Sequence, residues 1–574
     1  MRLIFAEFFD RLLGMFHAYI KCKKLSLAFM NSNSSSIQLV QNSTLLDKSF
    51  LNAVKKKDFA TARKILATKP PKEEWKNFHA QGFLALAETK FDSAIGYFKK
   101  ATLFPNCEWE PYANLTKLLS SRSQHKEAIP FAKKAHKLKP DDITIGRMLV
   151  NSMLDSEISE EIVTICDHFL ALAPNDVEFK LAKASATRFF GNFGQAFLLI
   201  DEVLKVNPDH VVAMRLQADI VAEQDSNAGI KLYDRLCKKS MQLKGSVATN
   251  LKWNMCLHLL RTRDFKRGWE FWETGTTKEV GGMGRTLPKY LQGLTRADQL
   301  KAIDPDKWTL VCVEQGIGDQ ILFLTAMNEF IEEFQKVIFV CEERMQPIIR
   351  RAFPKLQLAS PGLIEAWRDT QLPSNGFVPL GSVLARYRPS EQSFVDNRRA
   401  FLQVDGDMYH HYRKILNEVS KGRPIVGISW KGGFWESQKR NKALEISQWL
   451  PIFERGAVCV NLQYGKTKEE EDYIESLGYT LVSFPKLDFK RNLDDWMAIA
   501  AACDGIISVS TALVHFAGAC GQKVAVVMPE PQGPWILGTH DDWSLAYPEV
   551  SIFRRNRTES VRDLVDRIAG VIVS

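Results

Sequence analysis

Three short stretches carry residue types that can do chemistry. The first is VCVEQGIGDQILF, residues 311–323. An apolar run from Trp308 to Val313 stops at a turn holding Gly316 and Gly318, and a helical apolar pattern resumes at Ile321. Asp319 thus sits where a strand hands over to a helix N-terminus, at the positive end of the helix dipole. A carboxylate there can act as a general base toward a ligand at the strand's C-terminal end, or it can simply cap its helix. The second stretch is GISWKGGFWESQKRN, residues 427–441. Glycines and the cations Lys431, Lys439 and Arg440 at a strand end suit a diphosphate; a solvated basic loop is the alternative. The third is DGIISVSTALVHFAGACG, residues 504–521. A buried strand ends at Ser510 and Thr511, which are placed to cap the next helix and turn its first amides to a ligand. His515 shares the face of Thr511 by i, i+4 spacing, as a site residue or as a satisfied core histidine.

The elements that must position these residues are short apolar strands alternating with helical stretches: TLVCVEQ, KVIFVCE, PIVGISW, AVCVNLQ, DGIISVS and KVAVVMPE. Such alternation predicts parallel sheets covered by helices, here two Rossmann-like halves at 276–420 and 421–574 with a cleft between them. Trp535, Trp543 and Tyr547 can stack on a base or sugar, or pack the core. A final helix is expected over 561–572.

The chain before residue 276 reads differently. Pro105, Pro140, Pro174 and Pro208 lie 35, 34 and 34 residues apart, each closing an apolar helix. A small residue precedes each by eleven or twelve positions (Ala94, Ala128, Ala196), except that Ile162 fills one place and predicts looser packing there. A 34-residue helix–turn–helix period is the tetratricopeptide signature. Five clear repeats run from 76 to 243, with a degenerate one at 46–70 and a closing pair at 246–274, giving an array over 45–275. Such pairs stack into a superhelix whose groove holds a polypeptide. Trp269, Phe271 and Trp272 are expected to seal its end. Residues 1–44 hold an amphipathic N-terminal helix, for packing or for a membrane surface, and a polar linker.

Composition sets the frame. At 574 residues, with 45% hydrophobic and 25% charged residues, the chain is a multidomain globular protein. A net charge of +9 suits a phosphate-bearing substrate or an acidic partner, and no zinc spacing or aromatic–basic RNA motif points to nucleic acid. Ten scattered cysteines read as reduced core residues of a cytoplasmic protein, and no apolar run is long enough to span a membrane.

EQGIGDQILF, VGISWKGG, the basic KRN segment, DGIISVSTALVHFAGACG and the terminal WSLAYPEVSIFRR occur in that order. Together they resemble the GT-B glycosyltransferases. The match is to the heptosyltransferase-like domain that follows tetratricopeptide repeats in many bacterial proteins, related in architecture to the protein O-GlcNAc transferases; bacterial flagellin glycosyltransferases are the nearest functional match. The resemblance implies an all-α tetratricopeptide superhelix followed by an α/β GT-B module. It implies Asp319 as catalytic base. It places donor binding on Lys439, Arg440, Asn441, Ser510, Thr511 and His515, beside Gly316, Gly318 and Lys431, which the residue patterns above add to the donor site. Ser510 stands where the family has Asp, and Lys439–Arg440–Asn441 where it more usually has an Arg-Ser pair. The final helix is expected to cross back to the first half. The implied reaction is an inverting, metal-independent transfer, needing no cofactor, from a nucleotide-activated sugar to Ser/Thr of a protein such as flagellin. The alternatives are an idle tetratricopeptide scaffold and a transferase for lipopolysaccharide or capsule glycans.

Overall fold

The computed structural model describes residues 46–573 except 123, 155–157, 241–245, 277–284, 286, 292–295, 298–303, 305, 368–373, 433–442, 530–532, 539–541 and 557. The expected N-terminal helix, its polar linker and most of the glycine-rich junction after the array lie outside these residues. The rest falls into two compact units that divide at Val203/Leu204.

The first unit is made of helix pairs. Lys48–Lys55 and Phe59–Thr68 form the degenerate pair, and Glu74–Ala87 with Phe91–Thr102 starts the regular ones. Trp109–Ser121 with His125–Leu138, and Ile143–Leu154 with Glu160–Leu172, continue them. The periodic prolines explain the punctuation. Each falls just beyond a helix that has ended, and two residues after Pro140 and Pro174 an aspartate starts the next helix. Asp142 accepts from the Thr144 and Ile145 amides at 2.9 and 3.0 Å, and Asp176 from the Glu178 and Phe179 amides at 3.0 and 3.2 Å. Ala94, Ala128, Ile162 and Ala196 are all fully buried. The pair carrying Ile162 is not loose: a Cβ added to its Gly146 would lie 2.2 Å from the Phe169 ring, as one at Gly82 would lie 2.6 Å from Phe98. A glycine opposite a phenylalanine lets the two helices close without a small residue at the third position.

The second unit begins with the last repeat pairs, among them Val211–Gln224 with Ser226–Ser240 and Ser246–Arg261 with Phe265–Trp272. The closing pair does not end a separate array. Trp253, Leu260, Phe265 and Trp272 share one core cluster with residues of both α/β halves. Trp269 Nε1 donates to the Arg388 carbonyl at 2.6 Å, and Trp272 packs edge-on against Phe323. These buried rings join the closing helix pair to the α/β halves in one compact unit.

Two all-parallel sheets follow. The first has strands β1 (Trp308–Cys312), β2 (Val337–Val340), β3 (Gln357–Ala359) and β4 (Ser374–Pro379) in the order β3-β2-β1-β4. The second has β5 (Ile425–Ser429), β6 (Val458–Asn461), β7 (Leu481–Val482), β8 (Gly505–Val509), β9 (Val524–Met528) and β10 (Val550–Arg554) in the order β10-β9-β8-β5-β6-β7. Counted from β5 this is the Rossmann order 3-2-1-4-5-6, which reverses direction between β5 and β8. The Arg351 guanidinium ties the halves together by gripping the Asp494 carboxylate, with Nη1 to Oδ2 at 2.9 Å. The final helix, Val561–Ile572, does not cross back. Its Leu564, Val565, Ile568 and Ala569 pack with β5, β8 and β9 of its own half. Among the described residues no helix is long and apolar enough to cross a membrane. The described cysteines are unpaired and mostly buried, and burial pushes a thiol such as Cys166 up to about 12.

Candidate active site

β1 delivers the first wall. Its C-terminal end runs into Glu314, whose side chain is fully buried. Arg285 holds that carboxylate with a fork, Nε to Oε2 at 2.9 Å and Nη2 to Oε1 at 2.7 Å, and the Gly381 amide adds a third donor at 2.7 Å. The guanidinium lies over the Trp272 ring at 4.8 Å and also meets Glu273 at 3.0 Å. A charge-assisted cage of this kind fixes the backbone from which the glycine turn departs. The next residue, Gln315, has φ +59°, a conformation that costs a non-glycine residue energy and is kept only where the surroundings impose it. Gly316 is then the N-cap of the Ile317–Phe323 helix, and its amide donates to Asp319 Oδ2 at 3.3 Å. Asp319 is half-buried and does cap its helix, through this long hydrogen bond from the Gly316 amide.

The second wall stands where the strand order reverses. At the end of β5 the buried Gln463 gathers three donors on one oxygen: Ser429 Oγ at 3.1 Å, the Trp430 amide at 3.1 Å and the Lys431 amide at 2.9 Å. Lys431 has its side chain engaged within its own half. Its ammonium is bound to Glu470 and to the Lys466 carbonyl, the latter at 3.3 Å. Burial pushes the Glu470 carboxyl up, but the hydrogen bond and charge of Lys431, a backbone hydrogen bond and one from Trp430 together outweigh it and leave the carboxyl below its ordinary value. Lys439, Arg440 and Asn441 lie outside the described residues.

At the end of β8, Ser510 and Thr511 are buried. Thr511 occupies the N-cap of the Ala512–Ala519 helix without a side-chain capping bond; its hydroxyl is 3.2 Å from Ser508 Oγ instead. The expected cap is therefore absent, and the hydroxyl is held toward the strand. A Cβ on Gly432 would lie 2.6 Å from Thr511 Cγ2, so the β5 loop closes directly on it.

The two walls touch. A Cβ on Gly318 would lie 2.9 Å from His515 Cδ2 and 3.4 Å from the Ala512 Cα, so the Asp319 turn is seated on the first turn of the Ala512–Ala519 helix. His515 Nδ1 is 3.0 Å from the Tyr547 hydroxyl. Burial pushes the Tyr547 phenol far up, and the Asp319 charge adds to it, which puts that carboxylate on the side of the second half. Chemically, this gathers a carboxylate, an imidazole and a helix N-terminus at the crevice where open α/β sheets bind ligands.

Of the expected site residues, Gly316, Gly318, Asp319, Thr511 and His515 come together here, whereas Lys431 is committed elsewhere. Trp535 and Tyr547 belong to the core: Trp535 stacks edge-on with Trp269 at 5.6 Å, and Tyr547 is fully buried. Trp543 is half-buried with the Arg398 guanidinium 4.8 Å from its ring. Sequence reading missed Gln463 and the Arg285–Glu314 pair. Each shows one local signal, a polar residue directly after an apolar strand, but nothing local names its partner.

No family model matches the chain. It is 25% identical over 551 residues to Protein FlbA of Caulobacter vibrioides, covering 92% of this chain and 89% of that protein. Among solved structures, E. coli ADP-heptose lps heptosyltransferase II aligns at TM-score 0.34 and 11% identity, over 46% of this chain and 98% of that one. A glycosyl transferase family 9 protein from Veillonella parvula gives the same TM-score and identity, over 46% and 97%. YrrB, a TPR protein with an unusual peptide-binding site, aligns at TM-score 0.27 and 14% identity, over 32% and 97%. The chain is built as repeated helix pairs followed by two Rossmann-like halves.

Proposed function

We propose that this chain is an inverting glycosyltransferase that moves a sugar from a nucleotide-activated donor to Ser or Thr hydroxyls of a polypeptide held by the repeat array. The observation that carries the reading is the seating of the Gly318–Asp319 turn against Ala512 and His515. Asp319 takes the proton of the acceptor hydroxyl as that oxygen attacks the anomeric carbon. The bond from that carbon to the donor phosphate breaks, and the departing phosphate is stabilised by the first amides of the Ala512–Ala519 helix and by the basic 439–441 segment. Flagellin is the acceptor to test first, with nucleotide sugars including CMP-linked nonulosonic acids as donors.

Intact-mass analysis of flagellin co-expressed with the full chain is the direct experiment. A sugar increment that disappears with Asp319→Ala supports the reading. Transfer to glycan but not to protein redirects it to envelope polysaccharide.

One pair of observations favours a second reading, a catalytically idle scaffold. Lys431 is neutralised by Glu470, and Asp319 already serves its own helix. Tight acceptor binding with no added mass would decide for it.

A further inference from the structure

We propose that Tyr547 is a positioning residue: its hydroxyl donates to His515 Nδ1 and so keeps the ring proton on Nε2, at the edge of the imidazole that abuts Gly318. What this does for sugar transfer rests on the function proposed above; the tautomer itself does not.

The argument begins with how firmly the phenol is held. The Tyr547 amide donates to Ser544 Oγ at 3.3 Å, and the Ala546 amide donates to the same oxygen at 3.2 Å, so the backbone turn that carries the ring is tied down. A Cβ on Gly518 would lie 2.8 Å from Tyr547 Cγ, so the ring lies flat on the helix that also carries His515. The phenol is fully buried and meets the imidazole edge-on, with centroids 5.8 Å apart.

The direction of the hydrogen bond follows from satisfying every buried donor. A phenol has one hydrogen to give, and His515 Nδ1, at 3.0 Å, is the side-chain acceptor it reaches among the described residues. If Nδ1 held the proton and donated to the phenol oxygen, that hydroxyl hydrogen would be buried with its hydrogen bond unmade, the costlier arrangement. The opposite direction satisfies both groups. The phenol also stays protonated, because burial and the nearby Asp319 carboxylate both oppose its ionisation. A neutral imidazole that accepts at Nδ1 must carry its hydrogen on Nε2.

Nε2 lies on the ring edge facing the Asp319 turn; a Cβ on Gly318 would be 3.6 Å from it. In the transfer reaction this N–H donates a hydrogen bond to an oxygen of the leaving phosphate as its charge grows. No proton changes hands at His515: the acceptor proton goes to Asp319, and the electron pair of the broken bond goes to the phosphate.

The test uses the full chain labelled with 15N-histidine, with His515→Gln identifying the resonances. The expected neutral-pH spectrum has His515 Nε2 protonated and Nδ1 unprotonated, and Tyr547→Phe converts it to a tautomer mixture. In steady state the same variant lowers kcat by roughly ten- to hundredfold while donor KM stays within about twofold. A wild-type spectrum with the proton on Nδ1 overturns the proposal, and so does an unchanged spectrum in Tyr547→Phe. If that variant fails to fold, the wild-type spectrum decides alone. An Nε2–H tautomer in a chain that transfers no sugar leaves Tyr547 in its role and removes the transferase reading instead.

Discussion

Gly318 and His515 meet across the two α/β halves so closely that a single methyl on the glycine would lie 2.9 Å from the imidazole Cδ2. The neighbouring obstacle is backbone, the Ala512 Cα at 3.4 Å, and cannot swing aside. Gly318→Ala should therefore push the walls apart, costing about 1–3 kcal/mol of stability as overpacked sites do. Urea unfolding measures the cost. Donor hydrolysis or transfer should fall by more than the lost folded fraction explains. A variant with wild-type turnover would show that the contact is incidental to catalysis.

Substitution separates the observed cap of Asp319 from its proposed role as base. Asp319→Asn keeps an oxygen for the Gly316 amide but cannot take a proton, so stability should change by no more than about 1 kcal/mol while transfer falls by roughly 10²–10⁴-fold. Asp319→Ala loses the cap as well and should be measurably less stable than the asparagine variant. Equal activity of wild type and Asp319→Asn in a mass-based transfer assay would assign the carboxylate to capping alone.

Lys431 is spoken for by Glu470, so Lys431→Met should leave UDP, ADP or CMP affinity within about threefold by calorimetry, each tenfold being 1.4 kcal/mol. Replacing Lys439 and Arg440 together by Ala should weaken the same nucleotides by at least roughly tenfold, since a phosphate contact is charge-assisted. The reverse pattern would place Lys431, released from Glu470, in the phosphate site.

His79 in the first unit offers a pH test independent of the site. It is fully buried, its Nε2 is 3.0 Å from Asn114 Nδ2, and burial holds its pKa down from 6.5 to about 3. The unfolded chain therefore binds a proton that the folded chain refuses. Stability from this group is complete above pH 6.5 and is lost as pH falls toward 3, at roughly 1.4 kcal/mol per unit. Urea unfolding between pH 7 and 4 should show that slope, and it should flatten in His79→Gln.

The helix pairs and most strands were legible because their signals are local. Pro140 and Pro174 end one helix, and Asp142 and Asp176, two residues on, begin another. β7 is two residues long, and β10 alternates buried and exposed positions, so neither reads as an apolar run. The glycine turn at Asp319 and the strand end at Thr511 were legible for the same local reason. Pairings across the chain were not. Lys431 at a strand end looks the same in sequence whether it grips a phosphate or Glu470, and Tyr547 carries no mark of the histidine 32 residues before it. The packing of the final helix on its own half depends on the shape of β5, β8 and β9, which no segment of sequence contains alone.

The cage around Glu314 also governs how this protein can be dissected. Arg285 belongs to the α/β side, yet the indole it lies over and one of its carboxylates, Trp272 and Glu273, come from the last helix pair and the turn after it. A fragment begun at residue 276 would keep the guanidinium and lose its lid, baring Phe323 and Trp535 to water. Grafting a foreign acceptor-recognition arm onto this module should therefore succeed only with a junction upstream of Leu204, where the terminal helix pairs travel with the sheets as one inherited block.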